Sequence, residues 1–302
     1  MKGGVMELRI LRYFLAVARE GSISRAAETI HITQPSLSRQ IAQLEEETGA
    51  KLLIRGSRKI TLTDAGMLLR RRAEEIVALT EKTEQELSAF GSGEVRGTIC
   101  IGCGELHAVR ELSELIRTFH RLCPRVRFSF RSENADATKE NIERGLLDFG
   151  VLLEPVDYDK FDFLQMGAVE PWVVLMRADD VLAEKNRITA EDLRGRTLLL
   201  PSRKLVRSQL NAWFGEAMEE ENVFSTNNLM NNAATLVEQG LGLALGVEYS
   251  PSLYDPNRFC YKRLYPDLVS RSVIVWKKHQ PTGAAVTRFR DFLLMSLRHG
   301  EL

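Results

Sequence analysis

Residues 24–44 read Ser24-Arg25-Ala26-Ala27-Glu28-Thr29-Ile30-His31-Ile32-Thr33-Gln34-Pro35-Ser36-Leu37-Ser38-Arg39-Gln40-Ile41-Ala42-Gln43-Leu44. The pattern predicts two short helices joined by a tight turn. Ser24 is placed to cap the first, and Ala26, Ala27 and Ile30 turn inward, the adjacent alanines letting a neighbouring helix come close. Thr33 caps the second, and Pro35 fits its first turn, where a missing N–H costs nothing. Leu37, Ile41 and Leu44, at i, i+4 and i+7, bury one face of that helix. The opposite face presents Gln34, Ser36, Ser38, Arg39, Gln40 and Gln43, with no acid until Glu45. Gln, Ser and Arg are the side chains that hydrogen-bond base edges, and a helix N-terminus favours phosphate.

The flanks extend this reading. Upstream, Leu8, Leu11, Phe14, Leu15 and Ala18 recur at helical spacing and predict a third helix packed on the other two. Downstream, Leu52-Leu53-Ile54-Arg55-Gly56-Ser57-Arg58-Lys59-Ile60-Thr61-Leu62 reads as two short strands around a Gly-Ser turn. Three cations at its tip, Arg55, Arg58 and Lys59, suit a wing that reaches phosphates or a minor groove. The whole chain has 41 basic and 41 acidic residues, yet residues 1–72 hold 13 of the basic and 7 of the acidic ones. That surplus of +6 in the segment carrying the polar helix points to an anionic partner, double-stranded DNA.

Ser24-Arg25-Ala26-Ala27-Glu28, Thr33 to Ile41, Leu44-Glu45, and then Arg55, Arg58 and Leu62-Thr63-Asp64-Ala65-Gly66 resemble the winged helix-turn-helix of LysR-type transcriptional regulators. The match runs over about residues 7–66. Leu53 stands where the family usually has Phe, a core exchange that touches no contact. The resemblance implies that Gln34, Pro35, Ser36, Ser38 and Arg39 meet the major groove and that Arg58 meets the adjacent minor groove.

From Thr63-Asp64 a helical pattern runs to Phe90, about 42 Å of rod at 1.5 Å per residue. Leu62, Gly66, Leu69, Ala73, Ile76, Thr80, Thr83, Leu87 and Phe90 follow a 4-3-4-3 spacing, an a/d seam that asks for a partner helix. The resemblance implies a homodimer through residues 63–90, with helices paired antiparallel. The two threonines soften the seam, so further subunit contacts, as in a homotetramer, are expected. Gly91-Ser92-Gly93-Glu94 reads as a hinge.

Beyond residue 95, short β-type runs alternate with helical patterns, the signature of an α/β region. Expected strands are Thr98–Ile101, Val126–Phe130, Leu146–Leu152, Trp172–Met176, Thr197–Leu200, Val223–Thr226, Leu241–Gly246 and Val273–Trp276. Expected helices include Glu111–Leu122, about Asp136–Arg144, and one near Arg207–Met218. The resemblance implies a two-lobed, periplasmic-binding-protein-like effector domain. The chain then divides into a winged helix-turn-helix (1–62), a linker and dimerisation helix with its hinge (63–94), and the effector domain (95–302). Lobe one would hold about 95–163 and 268–302, lobe two about 164–267.

Ligands in such folds sit at strand C-terminal ends. The candidate lining is therefore Gly102–Leu106 (with Gly104, Glu105 and Leu106), Glu133–Ala135 (with Asn134 and Ala135), Pro201–Lys204 (with Ser202, Arg203 and Lys204), Asn227-Asn228 and Val247. Helix N-termini and the Arg203-Lys204 pair favour an anionic effector. Against a simple carboxylate stand Glu105, which adds a negative charge, and Ala135, where several carboxylate-binding members carry a hydroxyl residue.

The remaining signals narrow the function. At 44% hydrophobic and 27% charged, the chain is globular rather than disordered. The N-terminus lacks an apolar h-region and no run approaches 18 apolar residues, so a cytoplasmic protein free of the membrane is expected. Cys100-Ile101-Gly102-Cys103 has CxxC spacing with His107 beyond it, but no second pair exists; structural thiols are expected, with redox sensing as an alternative and no metal. No nucleophile–base motif argues for an enzyme, and Gly240-Leu241-Gly242 follows a helix instead of opening one, so no cofactor is expected. The sequence thus predicts a DNA-binding transcriptional regulator controlled by a small molecule. Its rivals are a thiol-based redox regulator and a solute-binding module or enzyme with a dimerising N-terminal bundle.

Overall fold

The computed structural model describes residues 6–56, 59–89, 95–215 and 220–298. It divides into two units, Met1–Leu87 and Ser88–Leu302.

The smaller unit holds α1 (Leu8–Glu20), α2 (Ile23–Thr29), α3 (Gln34–Thr48), β1 (Leu53–Arg55), β2 (Ile60–Leu62) and α4 (Asp64–Ala89). Ile10, Phe14, Val17, Ala26, Ala27, Leu37, Ile41 and Leu44 form its core. The α2 cap is Ser22, whose hydroxyl accepts from Arg25 N, and not the expected Ser24. Ser22 alone has the extended backbone an N-cap needs, because Gly21 has already ended α1 in the left-handed region. Thr33 sits at the α3 N-cap without a side-chain bond, and Pro35 lies in the first turn. β1 and β2 pair antiparallel, Leu53 opposite Leu62, forming the wing.

Glu45 ties the wing to α3. It is buried, and it accepts from Leu52 N (2.8 Å), Leu53 N (3.2 Å) and Lys51 Nζ (3.0 Å). Burial works against its charge, but these donors outweigh burial and hold the carboxyl below its ordinary value. A carboxyl depressed by folding adds stability above its unfolded pKa and loses it as pH falls through the folded one. Glu45→Gln is therefore expected to cost the smaller unit about 1–2 kcal/mol at neutral pH. Urea melts at pH 7 and pH 4 should show that cost shrinking with acid.

The seam of α4 is divided along its length. Gly66 and Ala73 are buried inside the unit, and a Cβ on Gly66 would lie 2.1 Å from the Leu52 carbonyl oxygen. Leu62 and Leu69 pack on the same core. The expectation that all of the seam needs a partner is corrected here, since its first half is used by the bundle. On the outer side of the helix, Leu68, Ile76, Leu79 and Leu87 remain 43–64% exposed and fall within one stripe. Phe90, the expected last seam residue, lies outside the described residues.

The larger unit contains β3 (Gly97–Cys103), α5 (Ala108–Leu122), β4 (Val126–Ser132), α6 (Ala135–Glu143), β5 (Phe149–Leu153), β6 (Phe161–Arg177), β7 (Arg187–Ile188), α7 (Ala190–Leu193), β8 (Leu198–Pro201), α8 (Lys204–Phe214), β9 (Val223–Asn227), α9 (Met230–Glu238), β10 (Leu243–Val247), β11 (Phe259–Leu264), β12 (Val269–Lys277) and α10 (Ala284–Arg298). The strand order β4-β3-β5-β12-β6-β10-β8-β9 joins two lobes through β6. Its first part, to Pro171, pairs antiparallel with β12; from Trp172 it pairs with β10 and β11. That exchange of partners comes later in the chain than the expected crossing at 163–164. One lobe's core gathers Ile99, Phe119, Phe149, Val151 and Phe289, the other Trp172, Val174, Leu198, Leu210 and Leu245.

Some elements begin elsewhere than expected. Leu146 and Leu147 are bonded back to Asn141 O at the end of α6, so the strand starts at Phe149. Helix α8 begins at Lys204, directly after β8, and not near Arg207.

Candidate DNA-reading face and effector cleft

On α3 the buried stripe Leu37-Ile41-Leu44 leaves Gln34, Pro35, Arg39 and Gln43 exposed and Ser36 and Ser38 half-buried. Arg39 Nε donates to the Pro35 carbonyl oxygen at 3.3 Å, and Gln43 Nε2 to Glu47 Oε1 at 2.8 Å. The first acid of the helix, Glu45, is turned inward against the wing, so no carboxylate interrupts the outer face before Glu46. In the turn between α2 and α3, His31 adopts φ 56°, a left-handed conformation that closes the angle between the two helices. Arg55 lies at the end of β1, and Lys59 is exposed just before β2. Arg58 lies outside the described residues.

In the larger unit a cleft opens at the C-terminal ends of β3, β5, β8, β9 and β10. Gly104, Glu105, Leu106, Asn134, Ala135, Pro201, Ser202, Arg203, Asn227, Asn228 and Val247 line it. Gly102, Cys103, Glu133 and Lys204 do not; Lys204 is exposed at the start of α8. Residues that strand ends did not suggest complete the wall: Trp172 at the crossing, Val206 and Ala233 on helices, Met230 and Ser250. Each is apolar or small, and periodicity alone reads such residues as core.

Two carboxylates occupy helix N-termini in this unit, Glu105 on the cleft wall and Glu170 away from it. Glu105 Oε2 accepts from Met230 N (3.0 Å) and Oε1 from Asn231 Nδ2 (2.6 Å), so lobe one caps α9 of lobe two. Burial, and after it the Glu105 charge, push the nearby Tyr254 hydroxyl up to about 12. Glu170, fully buried, accepts from His107 N and Ala108 N at the start of α5 and from the Ser272 hydroxyl. Asn134 caps α6 with its own side chain. Arg203 crosses the lobes in the other direction: Nη1 donates to Leu153 O (2.8 Å) and Nη2 to Pro155 O (2.5 Å), with Asp136 Oδ1 3.6 Å from Nε.

The CxxC thiols do not face each other. Cys103 belongs to the core that includes Phe119 and Phe289, while Cys100 packs with Leu147 and Val273 on the other side of β3. Residues three apart on a strand project to opposite faces, which keeps these two from a disulfide while β3 is intact. Burial, and then the Glu133 carboxylate, raise the Cys103 thiol, leaving less of the reactive thiolate. Among the described residues, no cluster of three or more His, Cys, Asp or Glu could hold a metal ion, and no helix is long and apolar enough to cross a membrane.

Comparison with known proteins finds a family model for each unit of the chain. The model of the bacterial regulatory helix-turn-helix protein, lysR family, matches residues 8–67, and that of the LysR substrate binding domain matches residues 92–298. The Hca operon transcriptional activator HcaR of Escherichia coli K12 is 31% identical over 293 residues, covering 95% of this chain and 96% of HcaR. The hydrogen peroxide-inducible genes activator of Dickeya chrysanthemi is 27% identical over 95% of this chain and 94% of its own length. In fold, the chain is similar to the crystal structure of CbnR, a LysR family transcriptional regulator, with a TM-score of 0.75, 21% identity and coverage of 97% of this chain and 99% of that one. With a polar helix beside a wing in one unit, a two-lobed cleft in the other, and family models matching both, the chain belongs to the LysR family of DNA-binding transcriptional regulators.

Proposed function

We propose that α3 lies in the major groove, with Gln34, Pro35, Ser36, Ser38, Arg39 and Gln43 along the bases, while Arg55, Arg58 and Lys59 of the wing hold the sugar-phosphate backbone. The observation that carries this is the outer face of α3, an uncharged-plus-arginine edge exposed above a stripe of fully buried Leu37, Ile41 and Leu44. A small molecule in the interlobe cleft biases the effector domain between two states that place paired heads differently on DNA, which requires different affinities for the two. A protein that reads the chromosome acts in the cytoplasm, as a regulator and not a catalyst. The reading is tested by titrating the full chain onto duplex from upstream of its own coding region and onto shuffled duplex, at several salt concentrations. Preference for the upstream duplex, with affinity falling as salt rises, is expected; equal affinity for both duplexes would overturn it.

Pairing of two chains through the exposed stripe of α4 belongs to the same proposal. Leu79→Glu sets a charge in the middle of that stripe without touching the unit's core. Association is expected to weaken about tenfold or more, read by sedimentation velocity. An unchanged association constant would move the subunit contact elsewhere.

A further inference from the structure

Four helices of the larger unit, α5, α6, α8 and α9, start at or just beyond residues that line the cleft. A helix N-terminus leaves N–H groups that favour negative charge. At three of the four the protein supplies the acceptor itself: Glu170 at the start of α5, the Asn134 side chain at α6, and Glu105 at α9. The fourth is open. No side chain caps α8, and no acid stands in its first turn. Its N-cap residue, Arg203, lines the cleft and is only 7% exposed. The guanidinium charge is answered by neutral groups, with Nη1 and Nη2 donating to Leu153 O and Pro155 O. Its Nε is buried without a hydrogen-bond partner, and Asp136 Oδ1, on an exposed side chain, stays 3.6 Å from it. A buried guanidinium with an unanswered N–H, beside the start of an uncapped helix, suits one anionic group.

We propose, on the effector-site reading above, that the cleft takes a small apolar monocarboxylate. Its carboxylate rests on the first turn of α8 beside Arg203, and its hydrocarbon part lies along Leu152, Trp172, Leu200, Leu245 and Val247. The wall's two charges, Glu105 and Arg203, sum to zero, so position decides where an anion sits. The Arg203 end offers donors that replace the carboxylate's lost water, whereas the donors at the Glu105 end are already taken by that side chain. A second carboxylate on the same ligand is left without donors, which sets dicarboxylates apart from monocarboxylates. The anion expected at the Arg203-Lys204 pair is thereby narrowed to a single group held without Lys204, which is off the wall.

Octanoate, its neutral isostere octanamide, and octanedioate keep one hydrocarbon chain and vary the charge. Each is titrated calorimetrically into the full chain and into Asn228→Trp, which fills the rim from an exposed position. Octanoate is expected to bind about tenfold or more tighter than either of the others, and to be lost in Asn228→Trp. Leu205 is exposed in the first turn of α8. Leu205→Asp gives that turn a charge of its own and is expected to weaken octanoate about threefold or more, with octanamide held within about twofold; Leu205→Ala, the uncharged control, should leave both unchanged. Arg203→Gln is expected to weaken octanoate about tenfold or more. Because Arg203 also joins the lobes, folding of that variant is checked by circular dichroism, and Leu205→Asp decides if it fails. The proposal is overturned if octanoate does not bind, if octanamide or octanedioate binds as tightly, or if Leu205→Asp leaves octanoate unchanged. Equal binding of octanoate and octanamide, both lost in Asn228→Trp, would overturn the charge preference and keep the cleft as the ligand site. Binding untouched by Asn228→Trp would remove the effector-site reading as well.

Discussion

Glu170→Ala is expected to destabilise the larger unit by about 3–5 kcal/mol, because it strands three buried donors at once. Glu170 lies on the part of β6 that pairs with β12, and it is fully buried. Its oxygens accept from His107 N at 2.9 Å, from Ala108 N at 3.0 Å and from Ser272 Oγ at 3.0 Å. The first two donors open α5, whose Leu112, Leu115 and Phe119 anchor the lobe-one core. Loss of the carboxylate therefore reaches from the crossing strand into the helix that packs on the sheet. Glu170→Gln keeps an acceptor and removes the charge, so it is expected to cost much less, on the order of 1 kcal/mol. The pH dependence has the opposite sign to that of Glu45. Burial raises the Glu170 carboxyl above its ordinary value, more than its three donors and His107 lower it. Folding then takes up a proton, so this contribution is complete below the unfolded pKa and is lost as pH rises through the raised one. Calorimetric melts of the unmodified chain and Glu170→Gln should converge at neutral pH and separate in favour of the unmodified chain toward pH 5. Separation in the other direction would mean that the hydrogen bonds, and not desolvation, set the state of this carboxyl.

What could be read from the sequence follows the range of each interaction. Helical spacing is local, so Leu37-Ile41-Leu44 and Phe14 declared the three-helix core, and the polar edge of α3 was what remained. Cleft positions at strand ends were legible for the same reason, since a strand followed by a turn and a helix places its C-terminal residues at the sheet edge. Long-range pairings were not legible. Glu45 read as the acid that ends the polar face, and nothing local shows that Leu52 and Leu53 turn it inward. The α4 seam read as uniform because its period is uniform; only the closeness of Gly66 to the Leu52 carbonyl shows that its first half is taken. β6 read as the short run Trp172–Met176, because Gly167 and Pro171 interrupt the apolar pattern over the part that pairs with β12. β11 was missed for a related reason: Phe259-Cys260-Tyr261-Lys262-Arg263-Leu264 shows no apolar–polar alternation, its two basic residues standing side by side. Arg203 lines the cleft as its place after a strand suggested, but its bonds to Leu153 O and Pro155 O were not legible, because those carbonyls lie far away in the chain.

Arg39→Ala and Lys59→Ala, compared on one pair of duplexes, are expected to separate base reading from backbone grip. Arg39 is exposed on the outer face of α3, one turn after Pro35, and its Nε rests on the Pro35 carbonyl, a weak neutral contact that DNA can replace. A guanidinium paired with guanine contributes about 1–3 kcal/mol of discrimination, or roughly 5–150-fold for each half-site. Arg39→Ala is thus expected to collapse most of the preference for upstream over shuffled duplex, while affinity for shuffled duplex changes little. Lys59 sits at the wing, where its stem runs along Gly21; a Cβ there would lie 2.9 Å from Lys59 Cε. That seat holds the ammonium near the turn between α1 and α2, on a flexible chain suited to a phosphate and not to a bidentate base edge. Lys59→Ala should lower affinity for both duplexes by a similar factor and reduce the slope of log affinity against log salt by about 0.9 per chain. The two variants therefore move different observables, preference in one and salt dependence in the other. If Arg39→Ala weakened both duplexes equally, with preference intact, the bases would be read from another part of the unit, and α3 would be left with a phosphate-binding role.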